Sequence, residues 1–265
     1  MHKYKKNEVL VINTENKLLP FASQKNFRNA MVRSYRSVAR KDLNGNPVLD
    51  ANGKPIVDFG FLEAFEYGVN NPEIKCIVIE SFTRLCELIE LYAEKVLGKT
   101  GYDFWGYYLD ELTRILLTIS SNCPKPIIWT ALPEILVDEN GARVERVAVS
   151  GKLKNKVESY FEIVVWADID SKAKDAQDRH RFALRSNGKN SAKTPYELYP
   201  PEKVFMPNDV NLLLNDIRAL YGIDPEDVNA HYPKILICGT SGFGKSTSLR
   251  NLASAEETNA TTESK

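Results

Sequence analysis

The residues best suited to chemistry lie near the carboxyl end. Gly239-Thr240-Ser241-Gly242-Phe243-Gly244-Lys245-Ser246 fits the pattern GxxxxGK[ST] in full. That spacing serves phosphate binding. Glycines let the backbone curl so that consecutive N–H groups converge, and a helix N-terminus behind them adds positive potential. In such a loop Lys245 reaches the β- and γ-phosphates of ATP, and the Ser246 hydroxyl sits on Mg²⁺. Thr247 closes the nucleotide-contacting stretch, and Phe243 is expected to point outward. The flanks agree with this reading. Residues 235–238 are an apolar run suited to a buried parallel strand, and residues 246–252 can begin a helix.

Such a loop needs a sheet to hold it, and the chain ends at Lys265, with no further strand pattern after the loop. The remaining strands must therefore come earlier. Buried-strand patterns begin at residues 8–21, breaking at Asn13, and recur at 74–81, 125–134 and 161–170. Helical spacing occurs between them at 61–67, 83–97 and 104–119. Strands alternating with helices predict an α/β fold with a mainly parallel sheet flanked by helices. The economical arrangement is one domain over residues 1–265, circularly permuted, with core strands and helices in 1–222. The phosphate-loop βα unit would occupy 223–255, and a flexible polar tail 256–265. Chain ends in compact domains often lie close together, so permutation costs the fold little. The rival is a truncated second domain after Tyr221, in which a lone strand and helix would leave their own faces unburied.

Composition sets the outer bounds. Hydrophobic residues make up 43% and charged residues 26%, enough to build a substantial core. Lys+Arg and Asp+Glu both number 35, so any preference for nucleic acid must come from a local patch. Cys76, Cys86, Cys123 and Cys238 form no CxxC pair and read as reduced thiols. His2, His180 and His231 are too scattered for a metal site. No apolar run approaches the ~20 residues of a membrane span, and the start MHKYKKNEVL has no signal-peptide core. A cytoplasmic location is expected, in the host cytoplasm if the chain is phage-encoded, with no membrane partner.

With the permutation undone, most of the chain resembles RecA-like ATPases, and within them the phage ATPases of the single-strand annealing type. Four places carry the resemblance. The phosphate loop is the first. VINTEN (11–16) resembles the strand end that presents a catalytic glutamate, which implies Glu15 as the group acting on the water that attacks the γ-phosphate. CIVIES (76–81) resembles the strand whose terminal acid holds the Mg²⁺ water shell. The family's usual residue there is Asp, and here it is Glu80, followed by the expected Ser81. GKLKNKVESYFEIVVW (151–166) resembles the segment whose Lys-Asn-Lys reaches a neighbouring subunit's ATP. That implies Lys154 and Lys156 as lysines acting in trans within rings or filaments. Thr130 occupies the place of a polar γ-phosphate sensor, or is a strand-end hydroxyl without a role. A strand-end carboxylate is also a common solvated residue, as are lysines on a surface turn.

Two segments are candidates for single-stranded DNA. Residues 16–41 hold no acid but contain Lys17, Lys25 and Lys41 together with Arg28, Arg33, Arg36 and Arg40. The spacing of the last three predicts one side of a helix, with Phe27 and Tyr35 able to stack on bases. A solvated basic helix balanced by acids elsewhere is the competing reading. Residues 136–152 predict a hairpin whose Arg143, Arg146 and Lys152 would meet phosphates, although Asp138, Glu139 and Glu145 oppose this. Asn-Gly-x-Pro occurs twice in 42–59 and predicts protruding hairpin turns. The aromatic stripe 102–108 reads as core, and 190–209 as a Pro-rich surface loop before a helix ending near Gly222.

The resemblance implies an ATPase that binds single-stranded DNA and supports phage-type recombination or strand annealing, with a single-strand binding protein as a further partner. A nucleoside triphosphatase switch or motor without DNA affinity, serving replication, packaging or anti-defence, is the alternative. A nucleotide-binding structural protein with little hydrolysis is the third reading.

Overall fold

Strands covered on both faces read as unbroken apolar runs. Five such runs make the middle of this molecule: VLVIN, CIVIE, IIWTA, IVVWA and ILIC. The computed structural model describes residues 2–254 except 138–140, 142, 176–178 and 228. The expected tail 256–265 and most of the expected hairpin turn therefore lie outside the described residues. In chain order the elements are β1 (Val9–Asn13), β2 (Arg28–Met31), β3 (Val38–Ala39), β4 (Val57–Asp58), α1 (Phe61–Asn70) and β5 (Cys76–Glu80). There follow α2 (Phe82–Leu91), α3 (Gly101–Thr113), β6 (Ile127–Ala131), β7 (Pro133–Val137), β8 (Arg143–Val147) and β9 (Ile163–Ile169). The last are β10 (His180–Ala183), β11 (Phe205–Pro207), α4 (Val210–Tyr221) and β12 (Ile235–Cys238). Helices α2 and α3 continue as π-helical turns at Tyr92–Val96 and Arg114–Ile119.

Eight strands form one sheet in the order β11-β10-β9-β12-β6-β5-β1-β2. From β9 to β2 every pairing is parallel, while β10 and β11 extend the other edge antiparallel. The last strand in sequence is thus central in space: Leu236 of β12 pairs with Trp129 on one side and Val164 on the other. Alternation along each strand then divides the core between the two faces. Leu10, Ile12, Ile79, Trp129 and Leu236 pack with α1, α2 and α3 on one face. Val11, Val78, Val165 and Ile237 pack with α4 and Leu249 on the other. Each fully buried Leu, Ile or Val contributes about 1.5–3 kcal/mol by removal from water, so β12 is held from four directions.

Local signals set the helix ends. Ser81 caps α2, its hydroxyl accepting the Arg84 N–H at 3.3 Å. The Asp209 carboxylate caps α4 by accepting the Asn211 and Leu212 N–H groups, and α4 stops at Gly222, where φ is +63°. Caps of this kind contribute about 1 kcal/mol each. The two ends of the described chain meet. Tyr4 and Ala253 form a parallel bridge, with Tyr4 N donating to Leu252 O at 2.9 Å and Ser254 N to Tyr4 O at 3.0 Å.

The structure differs from expectation in several segments. Residues 28–41 form no helix. Their backbone follows the edge of β1 as β2, then the short ribbon β3–β4, so Arg33, Arg36 and Arg40 share no helix side. Phe27 and Tyr35 are buried, Tyr35 completely, and neither presents a ring to a base. Three arginines of this segment meet acids: Arg28 with Glu73, Arg36 with Glu111 and Arg40 with Asp58. The segment after the phosphate loop is a short 3-10 turn, Thr247–Asn251, instead of an α-helix. Of the aromatic stripe only Tyr108 is buried; Tyr102 is 96% and Trp105 46% exposed. The Asn-Gly-x-Pro repeat builds two alike turns, in which Asp42 Oδ1 accepts from Asn44 N and Asn46 N, and Asp50 Oδ1 from Asn52 N and Lys54 N. The residues 190–209 include strand β11. No helix among the described residues is long and apolar enough to cross a membrane.

Candidate active site

Parallel strands bring their carboxyl ends to one edge, where ligands of open α/β sheets collect. The turns after β1, β5 and β12 meet there. Asn13 of β1 is level with Glu80 of β5, and Ala131 of β6 with Cys238 of β12. One cavity of about 340 Å³ opens between these turns. Asn13, Glu15 and Lys17 line it from the first, Glu80 and Ser81 from the second, and Ser241, Gly242, Gly244, Lys245, Ser246 and Thr247 from the third.

Glu80 is the centre of the polar cluster. It is 8% exposed, and hydroxyls occupy both of its carboxylate oxygens. Ser246 Oγ donates to Oε1 at 2.7 Å, and Thr130 Oγ1 donates to Oε2 at 2.7 Å. Burial pushes the Glu80 carboxyl above the usual carboxylate value; the two hydroxyls and the Lys245 charge oppose that shift without cancelling it. An acid raised in this way costs the fold something whenever it is ionised, and the cost grows as pH rises. Glu80→Gln keeps a hydrogen-bonding group of the same size without the charge. Its melting temperature is therefore expected to exceed the wild type's at pH 8 by more than at pH 5. Scanning calorimetry at both values checks this; a gain that shrinks with rising pH would contradict the sign.

Lys245 is 7% exposed. Its Nζ donates to the carbonyl oxygens of Gly239 at 2.6 Å and Thr240 at 3.2 Å, so the loop closes on its own lysine. Burial pushes the ammonium below the usual lysine value, against the pull of the Glu80 and Glu15 charges. The loop needs its glycines: Gly244 has φ +94°, and a Cβ there would lie 3.1 Å from both His180 Nδ1 and Asn208 Nδ2.

Glu15 follows β1 in a turn built by its neighbours. Thr14 Oγ1 donates to the Glu80 and Ser81 carbonyls at 3.0 Å each, and Asn16, with φ +54°, donates from its side chain to Val32 O at 2.9 Å. Glu15 Oε1 accepts the Ser81 hydroxyl at 2.8 Å, and Oε2 meets Lys17 Nζ at 3.0 Å. Partial burial raises the Glu15 carboxyl, but the bonds from Lys17 and Ser81 and the Lys17 and Lys245 charges together hold it below the usual value. Two carboxylates thus share one cavity with opposite shifts: Glu80 is raised and Glu15 is ionised and partly open.

The donor set suits a hard cation. Among the described residues no group of three or more His, Cys, Asp or Glu could cage a metal. Mg²⁺ characteristically takes one or two protein oxygens and completes its shell with water and phosphate. The Ser246 hydroxyl and, through water, the Glu80 carboxylate could serve as such oxygens.

Several expected site residues lie elsewhere. Thr130 is fully buried and does not line the cavity; its hydroxyl is committed to Glu80 and to Ile79 O, so it supports the acid instead of facing a phosphate. Phe243 packs against the core behind the loop instead of pointing outward, and its carbonyl lies 3.3 Å from His180 Nδ1. Gly239 and Thr240 contribute carbonyls to Lys245 without lining the cavity. Lys154 and Lys156, expected to act on a neighbouring copy, lie at and just after the 3-10 turn Gly151–Asn155, away from the cavity of their own chain. Lys156 borders a separate depression with Arg146, Ser159 and Asn190. Arg143 and Arg146 lie on β8, in the hairpin with β7. Lys17 was read only as part of a basic segment, and its place in the cavity was missed. The signal was its spacing two residues after Glu15 in a strand-end turn. No protein-family model, no curated protein and no solved structure matches this chain.

Proposed function

We propose that this cavity binds ATP with Mg²⁺ and hydrolyses it, and that the chain is a RecA-like ATPase core in circularly permuted order. One observation carries the reading: Ser246 of the phosphate loop donates to Glu80 at 2.7 Å across a sequence separation of 166 residues, in a cavity that Lys245 and Glu15 also line. The loop N–H groups and Lys245 would hold the phosphates. Bound Mg²⁺, on Ser246 and the water shell of Glu80, would neutralise charge on the phosphate oxygens. Glu15 would orient the attacking water and accept its proton. The water oxygen then bonds to the γ-phosphorus as the bond to the β–γ bridging oxygen breaks. ADP leaves with that electron pair, and the proton passes to the released phosphate. Lys154 and Lys156 would act on the site of an adjacent copy in a ring or filament.

The test is nucleotide binding and single-turnover hydrolysis by wild type and Lys245→Ala. Losing a charged contact to phosphate is expected to weaken ATP by at least about tenfold and to abolish measurable turnover. Unchanged binding and hydrolysis in Lys245→Ala would end the reading.

The role in recombination or strand annealing rests on the resemblance, with single-stranded DNA and a single-strand binding protein as proposed partners. A specific observation favours the alternative, a nucleoside triphosphatase switch without DNA affinity. The stripe expected to bind DNA is not helical, its rings are buried, and Arg28, Arg36 and Arg40 meet acids. Among the described residues, Arg33, which those ion pairs leave out, and Arg146 and Lys156, which border one depression, are cations that a strand could still meet. Titration of single-stranded DNA against salt separates the two readings, because phosphate contacts weaken steeply as salt rises.

A further inference from the structure

We propose that Lys17 is a second phosphate-contacting lysine of this site: when a nucleoside triphosphate binds, its ammonium leaves Glu15 for the γ-phosphate and frees the Glu15 carboxylate for the attacking water. The inference rests on the nucleotide reading above and deepens it by naming a residue that distinguishes triphosphate from diphosphate.

Lys17 lines the same cavity as Lys245 and Ser246. Its backbone is pinned there, since Asn13 Nδ2 donates to Lys17 O at 2.6 Å and the neighbouring Asn16 amide is tied to Val32 O. Its side chain is not pinned: it is 77% exposed, and among the described residues its ammonium has one carboxylate partner, Glu15 Oε2 at 3.0 Å. A fixed backbone with a free side chain lets the ammonium move between neighbouring acceptors without refolding the turn.

Energetics then favour exchange. A solvent-exposed lysine–carboxylate pair is weak because water screens it and two flexible side chains must be held. A phosphate in the cavity offers more charge and more acceptor oxygens than one carboxylate. The exchange also alters Glu15. In the structure Ser81 Oγ occupies one of its oxygens and Lys17 Nζ the other. Pairing with a cation makes a carboxylate a poorer proton acceptor. Moving Lys17 to the γ-phosphate leaves Oε2 open toward the cavity while Ser81 still orients the group. Base activation is thereby tied to the presence of the phosphate to be cleaved. ADP, lacking that phosphate, leaves the Lys17–Glu15 pair in place.

The experiment measures affinities for Mg-ADP and for a non-hydrolysable Mg-ATP analogue, with single-turnover ATP hydrolysis, in wild type, Lys17→Met and Lys17→Arg. Lys17→Met is expected to weaken the triphosphate by about tenfold or more with ADP affinity unchanged, and to slow hydrolysis. Lys17→Arg is expected to restore most of the preference for triphosphate, which a merely structural role would not predict. Equal ATP-to-ADP affinity ratios in Lys17→Met and wild type would overturn the proposal and leave the nucleotide reading standing. Faster hydrolysis in Lys17→Met would also overturn it, by showing that Lys17 only restrains Glu15. Wild type that binds neither nucleotide would instead remove the nucleotide reading and this proposal with it.

Discussion

Glu15→Gln is expected to slow single-turnover ATP hydrolysis by about 10²–10⁴-fold while leaving Mg-ATP affinity within a few-fold of wild type. The substitution preserves size and still offers an oxygen to the Ser81 hydroxyl, which now holds Oε1 at 2.8 Å. What it removes is the capacity to take a proton. Neither the phosphate loop nor the Glu80–Ser246 bond depends on that capacity, so binding and chemistry should separate. Glu15 titrates below the ordinary carboxylate value of 4.5, so it is ionised at neutral pH. Because its folded pKa is depressed, its ion pair stabilises the fold above the unfolded value and is lost only as pH falls through the folded one. A variant that lost ATP binding in proportion to its rate, or kept the wild-type rate, would remove Glu15 from its proposed role.

The second large effect concerns folding. Removing residues 235–254 is expected to abolish cooperative unfolding altogether. The four residues of β12 are completely buried, and the strand pairs with β6 on one side and β9 on the other. Truncating a single buried Leu or Ile to Ala costs about 2–5 kcal/mol, while a whole domain is stable by about 5–15 kcal/mol. Loss of three such side chains and of Cys238, together with two ladders of hydrogen bonds, exceeds that margin. The counterpart is a reordered chain in which a short linker joins residue 254 to residue 2 and the new ends fall within 223–233. Tyr4 and Ala253 already pair, so this chain is expected to fold with a similar melting temperature. Circular dichroism and thermal melts of both variants decide the matter. A cooperative transition in the deleted chain would show that β12 is dispensable.

Much of the sheet was legible because buried parallel strands announce themselves locally. The runs around Val11, Val78, Ile128 and Val165 need no partner to be recognised. Strands β10 and β11 were missed, since His180–Ala183 and Phe205–Pro207 are only four and three residues long and add to the sheet one after the other beyond β9. The arginine spacing from Arg33 to Arg40 suggested a helix, but spacing alone carries no sign of the β1 edge that draws this backbone into an extended path. Tyr102 and Trp105 were read as core for a similar reason: helical periodicity states which residues share a face, not what covers it.

From the sequence by itself came the phosphate loop, its strand, and the acids at the ends of two further strands, because motif spacing and apolar runs act over a few residues. Tertiary structure decided everything that depends on neighbours distant in sequence. It gave the Thr130 hydroxyl to Glu80, set Lys17 against Glu15 within one cavity, and matched Arg28, Arg36 and Arg40 with acids. Hydrogen bonds and ion pairs form over about 3 Å of space, and only the folded sheet brings residues 50 or 166 positions apart within that reach.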